Sequence, residues 1–290
     1  MLTTLWTALI TPMNPNGEVN YSDLRTLVQL QEDAGNGILV IGSTGEGLAL
    51  DESEKKEIVE FMDDYNPSVP WMIGVGGFQA DAQKKWIDFG NTTGADAFLL
   101  VNPLYAKPGS EGQFEWFSAL MDQSEKPCML YNIPSRTGTR LSKDVFGRLS
   151  KHPNCWSLKE ASGSITDFEG YRMAAPNIPI FSGDDALMPY FANAGASGLV
   201  SVSSNVWPAA TKKYVELCLS GKVESIFPVW KEAVATLFSA SNPVPAKSLL
   251  YQKNIISSAC VRQPLSLADL PSNELLSEAD RNILNWFNQQ

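Results

Sequence analysis

Histidine is nearly absent: among 290 residues there is one, His152, in the loop-like stretch SKHPN. A single imidazole excludes a His-based metal cluster and leaves one candidate for any Ser-His-Asp arrangement; His152 reads as a surface loop residue. Acid–base chemistry therefore falls to Lys, Tyr, Asp, Glu, Ser or Thr. Cysteine is sparse too. Cys128, Cys155, Cys218 and Cys260 are scattered with no C-x-x-C pair, which argues against zinc or redox use and for buried reduced thiols. No apolar run reaches the roughly 18–20 residues of a membrane span. Positive charge is in deficit. With 22 Lys and Arg against 32 Asp and Glu, the net charge of −10 excludes general affinity for nucleic acid or anionic membranes, though not a local pocket for a small anion. The opening MLTTLWTALITPMNPNG has no basic region and no A-x-A-like cleavage site, so it reads as a first strand of a cytoplasmic protein rather than a signal peptide.

What is present is regular. Short apolar runs alternate with amphipathic helical patterns. The strand candidates are TLWTALI, GILVIG, WMIGVG, AFLLVN, CMLYNI, CWSLKE, IPIFSG and GLVSVS, and a helix candidate follows each of them. The second helix pattern opens with Asp51 and Glu54 at capping-box spacing. Eight strand–helix pairs within about the first 220 residues predict an α/β fold, a (β/α)8 TIM barrel, over residues 1–221. A doubly wound Rossmann sheet is weaker, because neither GSTGEG nor GVGG fits G-x-G-x-x-G in context. After Gly221 the pattern turns purely helical, which predicts a C-terminal α-helical extension over 222–290. No repeat, low-complexity tract or long linker interrupts the chain.

Chemistry in such a barrel belongs where strands end and βα loops begin. Those ends read IGSTGEG, VNPLYAKPG, LYNIPSRTG, LKEASG, FSGDD and VSVSSN. Hydroxyls, glycines, two tyrosines, one arginine and the lysine of LKEASG thus converge on one face. Lys159 ends an apolar strand, where burying an ammonium is costly unless it is paired or deprotonated. Three readings are open: a lysine snorkelling to solvent or pairing with an acid, a phosphate contact, or a nucleophilic amine that forms a Schiff base with a carbonyl. The shortage of histidine and metal ligands favours the third. Tyr131 is either packing or a phenol that shuttles protons near Lys159. Ser43 and Thr44 are turn residues, or hydroxyls that bind a carboxylate or relay a proton. Arg136 is a solvated loop charge or a bidentate grip on a carboxylate.

Taken together, GSTGEG, NPLYAKPGSEG, YNIPSRTG, LKEASG, FSGDD and NPVPAK resemble the pyruvate-dependent Schiff-base aldolase/lyase superfamily, in the same order and over nearly the whole chain. The resemblance is greatest to members that condense pyruvate with L-aspartate 4-semialdehyde. It implies a (β/α)8 barrel with a helical extension, no metal, and no cofactor beyond a covalent lysine–pyruvate imine. Lys159 would carry the imine, Tyr131 would transfer protons, and Ser43 would link it to Tyr105. Tyr105 would enter a neighbouring subunit's site, which implies a homodimer or homotetramer. Thr44 would hold the pyruvate carboxylate and Arg136 that of the semialdehyde, with Gly183, Asp184 and the Val200 carbonyl lining the site. A relative acting on sugar acids, such as N-acetylneuraminate lyase or a 2-keto-3-deoxy-sugar-acid aldolase, would use the same lysine, but Arg136 suits the shorter acid. A catalytically silent paralogue is the other alternative, and the full set of reactive groups argues against it. Two features depart from the family pattern. Serine stands at 43 where threonine is common, and Leu104, with Gly47, Leu48, Glu52 and Lys55, replaces the groups of lysine-inhibited members, so weak or absent feedback by lysine is expected.

Overall fold

The computed structural model describes residues 3–224 and 226–290. Eight parallel strands close into a barrel in sequence order, β1 (Leu5–Ala8), β2 (Gly37–Val40), β3 (Trp71–Val75), β4 (Ala97–Val101), β5 (Cys128–Asn132), β6 (Cys155–Glu160), β7 (Ile180–Ser182) and β8 (Gly198–Ser201). Closure is made by β8 pairing back on β1, with Trp6 opposite Val200. Outside the barrel lie α1 (Tyr21–Ala34), α2 (Glu52–Tyr65), α3 (Ala80–Asn91), α4 (Ser110–Gln123), the single turn α5 (Pro134–Thr137), α6 (Lys143–Leu149), α7 (Ile165–Ala174), α8 (Met188–Asn193) and α9 (Pro208–Leu219). Strands such as GILV and AFLLV are apolar throughout because both faces are covered, one by the barrel interior and one by the helices. Side-chain alternation separates the two layers. Trp6, Leu39, Met72, Leu99, Met129, Phe181 and Val200 fill the interior, while Leu5, Ile38, Ile73, Phe98 and Leu130 pack outward under the helices. Gly37 shows how tight the interior is: a Cβ there would lie 2.6 Å from the Trp6 ring.

All eight predicted strands and their alternation are present. Asp51 and Glu54 form the expected reciprocal capping box of α2. Several boundaries differ. The one-turn α5 lies where the sequence pattern predicts only loop. The helix expected over DALMPYFANAG shrinks to α8, which begins at Met188; ahead of it Asp184 accepts from the Ala186 and Leu187 amides, and Asp185 is turned to the Val202 and Ser203 amides of the loop after β8. Three cysteines are buried as expected, but Cys260 is only half-buried, in a loop where its carbonyl accepts from Lys247 Nζ.

Beyond α9 the chain forms α10 (Val229–Leu237), α11 (Val244–Gln252) and α12 (Asn273–Phe287). Residues 1, 2 and 225, which fall within the predicted first strand region and the first tail helix pattern, lie outside the described residues. The tail shares one apolar cluster with the barrel's outer layer. Trp230 stacks on Tyr214 of α9 with centroids 4.2 Å apart, and Trp286 meets Trp230 edge-on at 5.3 Å. No helix among the described residues is long and apolar enough to cross a membrane.

Candidate active site

The C-terminal ends of the strands bring the polar groups together. Lys159 and Tyr131 are direct cross-strand partners on β6 and β5. Their common orientation depends on an irregularity. Cys128 pairs with Cys155, but the next residue, Met129, pairs with Ser157, so β6 carries one extra residue at this point. Trp156 packs on the interior cluster. Strict alternation from Trp156 would send Leu158 and Glu160 inward and Lys159 outward. The shift reverses this. Leu158 lies in the outer layer and Lys159 turns inward beside Tyr131.

Lys159 is 5% exposed, and its Nζ lies 4.3 Å from the centroid of the Tyr131 ring. Burial is the main force on it and lowers its pKa from 10.5 to about 7; the Arg136 charge adds to the fall and Asp185 opposes it. The ring face also favours a cation. Burial outweighs both, so a large fraction of neutral amine is present near neutrality. Room for the long side chain comes from Gly183, where a Cβ would lie 2.9 Å from Lys159 Cε and 2.6 Å from Ala161 Cβ. Tyr131 is buried as well, which pushes its phenol up to about 12 against opposing pulls from Arg136 and the adjoining Ser43 hydroxyl. Arg136 therefore acts electrostatically on both groups from α5, where its side chain is exposed.

Thr44 is 3% exposed and its hydroxyl accepts from Asn242 Nδ2. Val200 belongs to the same interior cluster as Tyr131. Asp184 lies in the βα loop after β7, but its Oδ1 accepts from the Ala186 and Leu187 amides, and burial raises its pKa. Tyr105 is not joined to Ser43 within this chain. It is 93% exposed, at a φ of +66° on the loop after β4. A cavity of about 1070 Å³ opens over this face, with Ser43, Tyr131, Arg136, Tyr105 and Lys107 on its wall, and runs outward between α2 and α3. Lys159 is not on that wall; it lies beside Tyr131 on the next strand. His152 is remote, in the loop preceding β6, with Nε2 3.1 Å from Asp122.

The residue missed in the sequence is Asp185. It is fully buried and accepts from the Val202 and Ser203 amides and from the Ser201 and Ser203 hydroxyls. The only signal was its place as the second Asp of FSGDD. Glu160, by contrast, faces outward, held by Asn132 Nδ2 at 2.6 Å and the Ser162 amide at 2.8 Å, with its pKa raised by burial.

A (β/α)8 barrel that buries a lysine of lowered pKa against a tyrosine where its strands end presents an amine able to attack a carbonyl. The sequence profile of the dihydrodipicolinate synthetase family matches residues 1–279, and the chain belongs to that family. It is 46% identical over 284 residues to the 4-hydroxy-tetrahydrodipicolinate synthase of Francisella philomiragia subsp. philomiragia, covering 98% of this chain and 96% of that protein. Among solved structures it is similar to dihydrodipicolinate synthase from Aquifex aeolicus, with a TM-score of 0.90 and 29% identity over 99% of this chain and 98% of that one. The 4-hydroxy-tetrahydrodipicolinate synthase of Methylacidiphilum fumariolicum SolV gives a TM-score of 0.90 at 30% identity, over 100% and 97% of the two chains.

Proposed function

We infer that this chain is a lyase that condenses pyruvate with L-aspartate 4-semialdehyde to give 4-hydroxy-tetrahydrodipicolinate, the opening step of diaminopimelate and lysine synthesis. Membership of the family and its relatives support the overall reaction. The observation that carries the mechanism is the buried Lys159 beside Tyr131. Neutral Nζ attacks C2 of pyruvate. Tyr131 passes protons as the carbinolamine forms and its hydroxyl leaves as water. The resulting iminium is an electron sink, so a proton is lost from C3 and an enamine forms. Its C3 attacks the aldehyde carbon of the second substrate, making the new carbon–carbon bond, and the alkoxide takes a proton. The substrate's own amine then adds to C2 and displaces Lys159, which closes the ring and frees the enzyme. One water is released overall, and the covalent imine serves where another enzyme would use a bound cofactor.

In this reading Thr44 binds the pyruvate carboxylate, Gly183, Asp184 and the Val200 carbonyl line the site, and Arg136 grips the semialdehyde carboxylate. Ser43 links Tyr131 to the Tyr105 of a second copy. The exposure of Tyr105 supports that exchange, and with it a homodimer or homotetramer. Residues 1–221 are the catalytic barrel and 222–290 the helical extension. Arg136 favours the semialdehyde over the longer sugar acids. Intact mass after pyruvate and borohydride treatment, with peptide mapping, tests the scheme. A pyruvate-sized adduct on Lys159 is expected; no adduct, or one elsewhere, overturns it. Arg136→Ala should then damage use of the semialdehyde far more than imine formation, and equal loss of both would remove that role.

A further inference from the structure

The motif NPVPAK, at 242–247, takes no part in the reaction as written, yet two of its side chains hold the loop that follows β2. Asn242 Nδ2 donates to Thr44 Oγ1 over 2.9 Å, and the two residues are 7% and 3% exposed. Lys247, fully buried, pairs with Glu46 and also donates to the Cys260 carbonyl at 2.8 Å. The other Glu46 oxygen accepts from the Arg262 amide at 2.8 Å. Between them, Gly45 O accepts from Thr11 Oγ1 at 2.7 Å. Residues 44, 45 and 46 are each held from outside the loop, two of the three by the C-terminal extension.

A threonine hydroxyl has one proton to donate and two lone pairs. The Asn242 amide takes a lone pair on Thr44, which leaves the proton to point elsewhere, and it reaches no acceptor among the described residues. Donation into a hydroxyl also makes it a better donor in turn. A buried hydroxyl held in this way is preorganised for an anion. We propose that Asn242 is a positioning residue for pyruvate: it holds the Thr44 hydroxyl with its proton turned to the substrate carboxylate, so that the C-terminal extension completes the carboxylate site of the barrel. The inference rests on the reading of Thr44 as the pyruvate-carboxylate contact. The Asn242 Oδ1 is itself buried without a partner among the described residues, which is consistent with a group kept for its donor.

The test is borohydride trapping and steady-state kinetics against pyruvate concentration for Asn242→Ala, Asn242→Asp, Thr44→Val and the double variant Asn242→Ala/Thr44→Val, with thermal unfolding alongside. Asn242→Ala should raise half-saturating pyruvate about tenfold and leave the KM for semialdehyde unchanged, as loss of one hydrogen bond supporting a charged contact implies. Asn242→Asp keeps the shape but supplies an acceptor and a negative charge, so its deficit should be larger and should deepen as pH rises. On the Thr44→Val background Asn242→Ala should add nothing, because the two act as one unit. Folded Asn242→Ala within about twofold of the parent, additive losses, or equal damage to both substrates would each overturn the positioning role, since coupled neighbours depart from additivity. If Thr44→Val weakens pyruvate binding and Asn242→Ala does not, only the positioning role falls; if Thr44→Val has no effect, both fall. Should Asn242→Ala fail to fold, the isosteric Asn242→Asp decides by the same criteria.

Discussion

Replacing Lys159 by methionine removes the nucleophile while keeping the length and apolar stem of the side chain. The protein should lose imine formation and become more stable. The fall in the Lys159 pKa from 10.5 to about 7 has burial as its first cause. At about 1.4 kcal/mol per pH unit, that fall corresponds to about 5 kcal/mol of opposition to the ammonium in the folded state. Relaxation around the site reduces what is recovered, and about 1–4 kcal/mol is the expected gain from exchanging a buried ion for an apolar group. The gain must depend on pH in one direction. Below about pH 7 lysine is charged in both the folded and unfolded chains and the full penalty is present. Between about 7 and 10.5 the unfolded chain binds the proton and the folded chain does not, so the parent's stability rises with pH. The advantage of Lys159→Met should therefore be greatest near pH 6.5 and shrink steadily towards pH 10. Urea unfolding of both proteins across that range measures it. A variant less stable than the parent at pH 6.5, or an advantage that stays constant with pH, would refute the argument that burial neutralises this lysine.

Tyr131→Phe keeps the packing beside Lys159 but removes the phenol, and should slow turnover by about 10²–10⁴-fold while pyruvate remains able to reach the lysine, as stopped-flow trapping would record. Lys247→Met strands Glu46 in a buried site with only the Arg262 amide to hold one oxygen, and should cost about 3–5 kcal/mol in urea unfolding. A loss under about 1 kcal/mol would mean that the pair is not needed to satisfy Glu46. Because Leu104, Leu48, Glu52 and Lys55 line the outer part of the cavity, millimolar L-lysine is expected to inhibit little in a coupled assay, and strong inhibition would contradict that reading.

Two kinds of information separate cleanly in this chain. The barrel was legible from the residues in order, because a strand buried on both faces must be apolar throughout and a helix must show a period near 3.6. The alternation of eight such pairs leaves few ways to bury every strand. The candidate reactive groups could be named because chemistry in such barrels sits at strand ends and the motifs there are distinctive. Local pattern alone could not say which way Lys159 points. Alternation along CWSLKE from the inward Trp156 puts the lysine outside, and only the register shift against β5 turns it inward. Nor could it show that Gly183 clears the path for that side chain, that Asp185 gathers four donors behind the site, or that Asn242 meets Thr44 across 198 positions of chain. Sequence determined which residues could be strand, helix and nucleophile, since those depend on near neighbours. The pKa of Lys159 and the direction of the Thr44 hydroxyl were decided by tertiary structure, since desolvation and hydrogen bonding depend on what distant segments bring into contact.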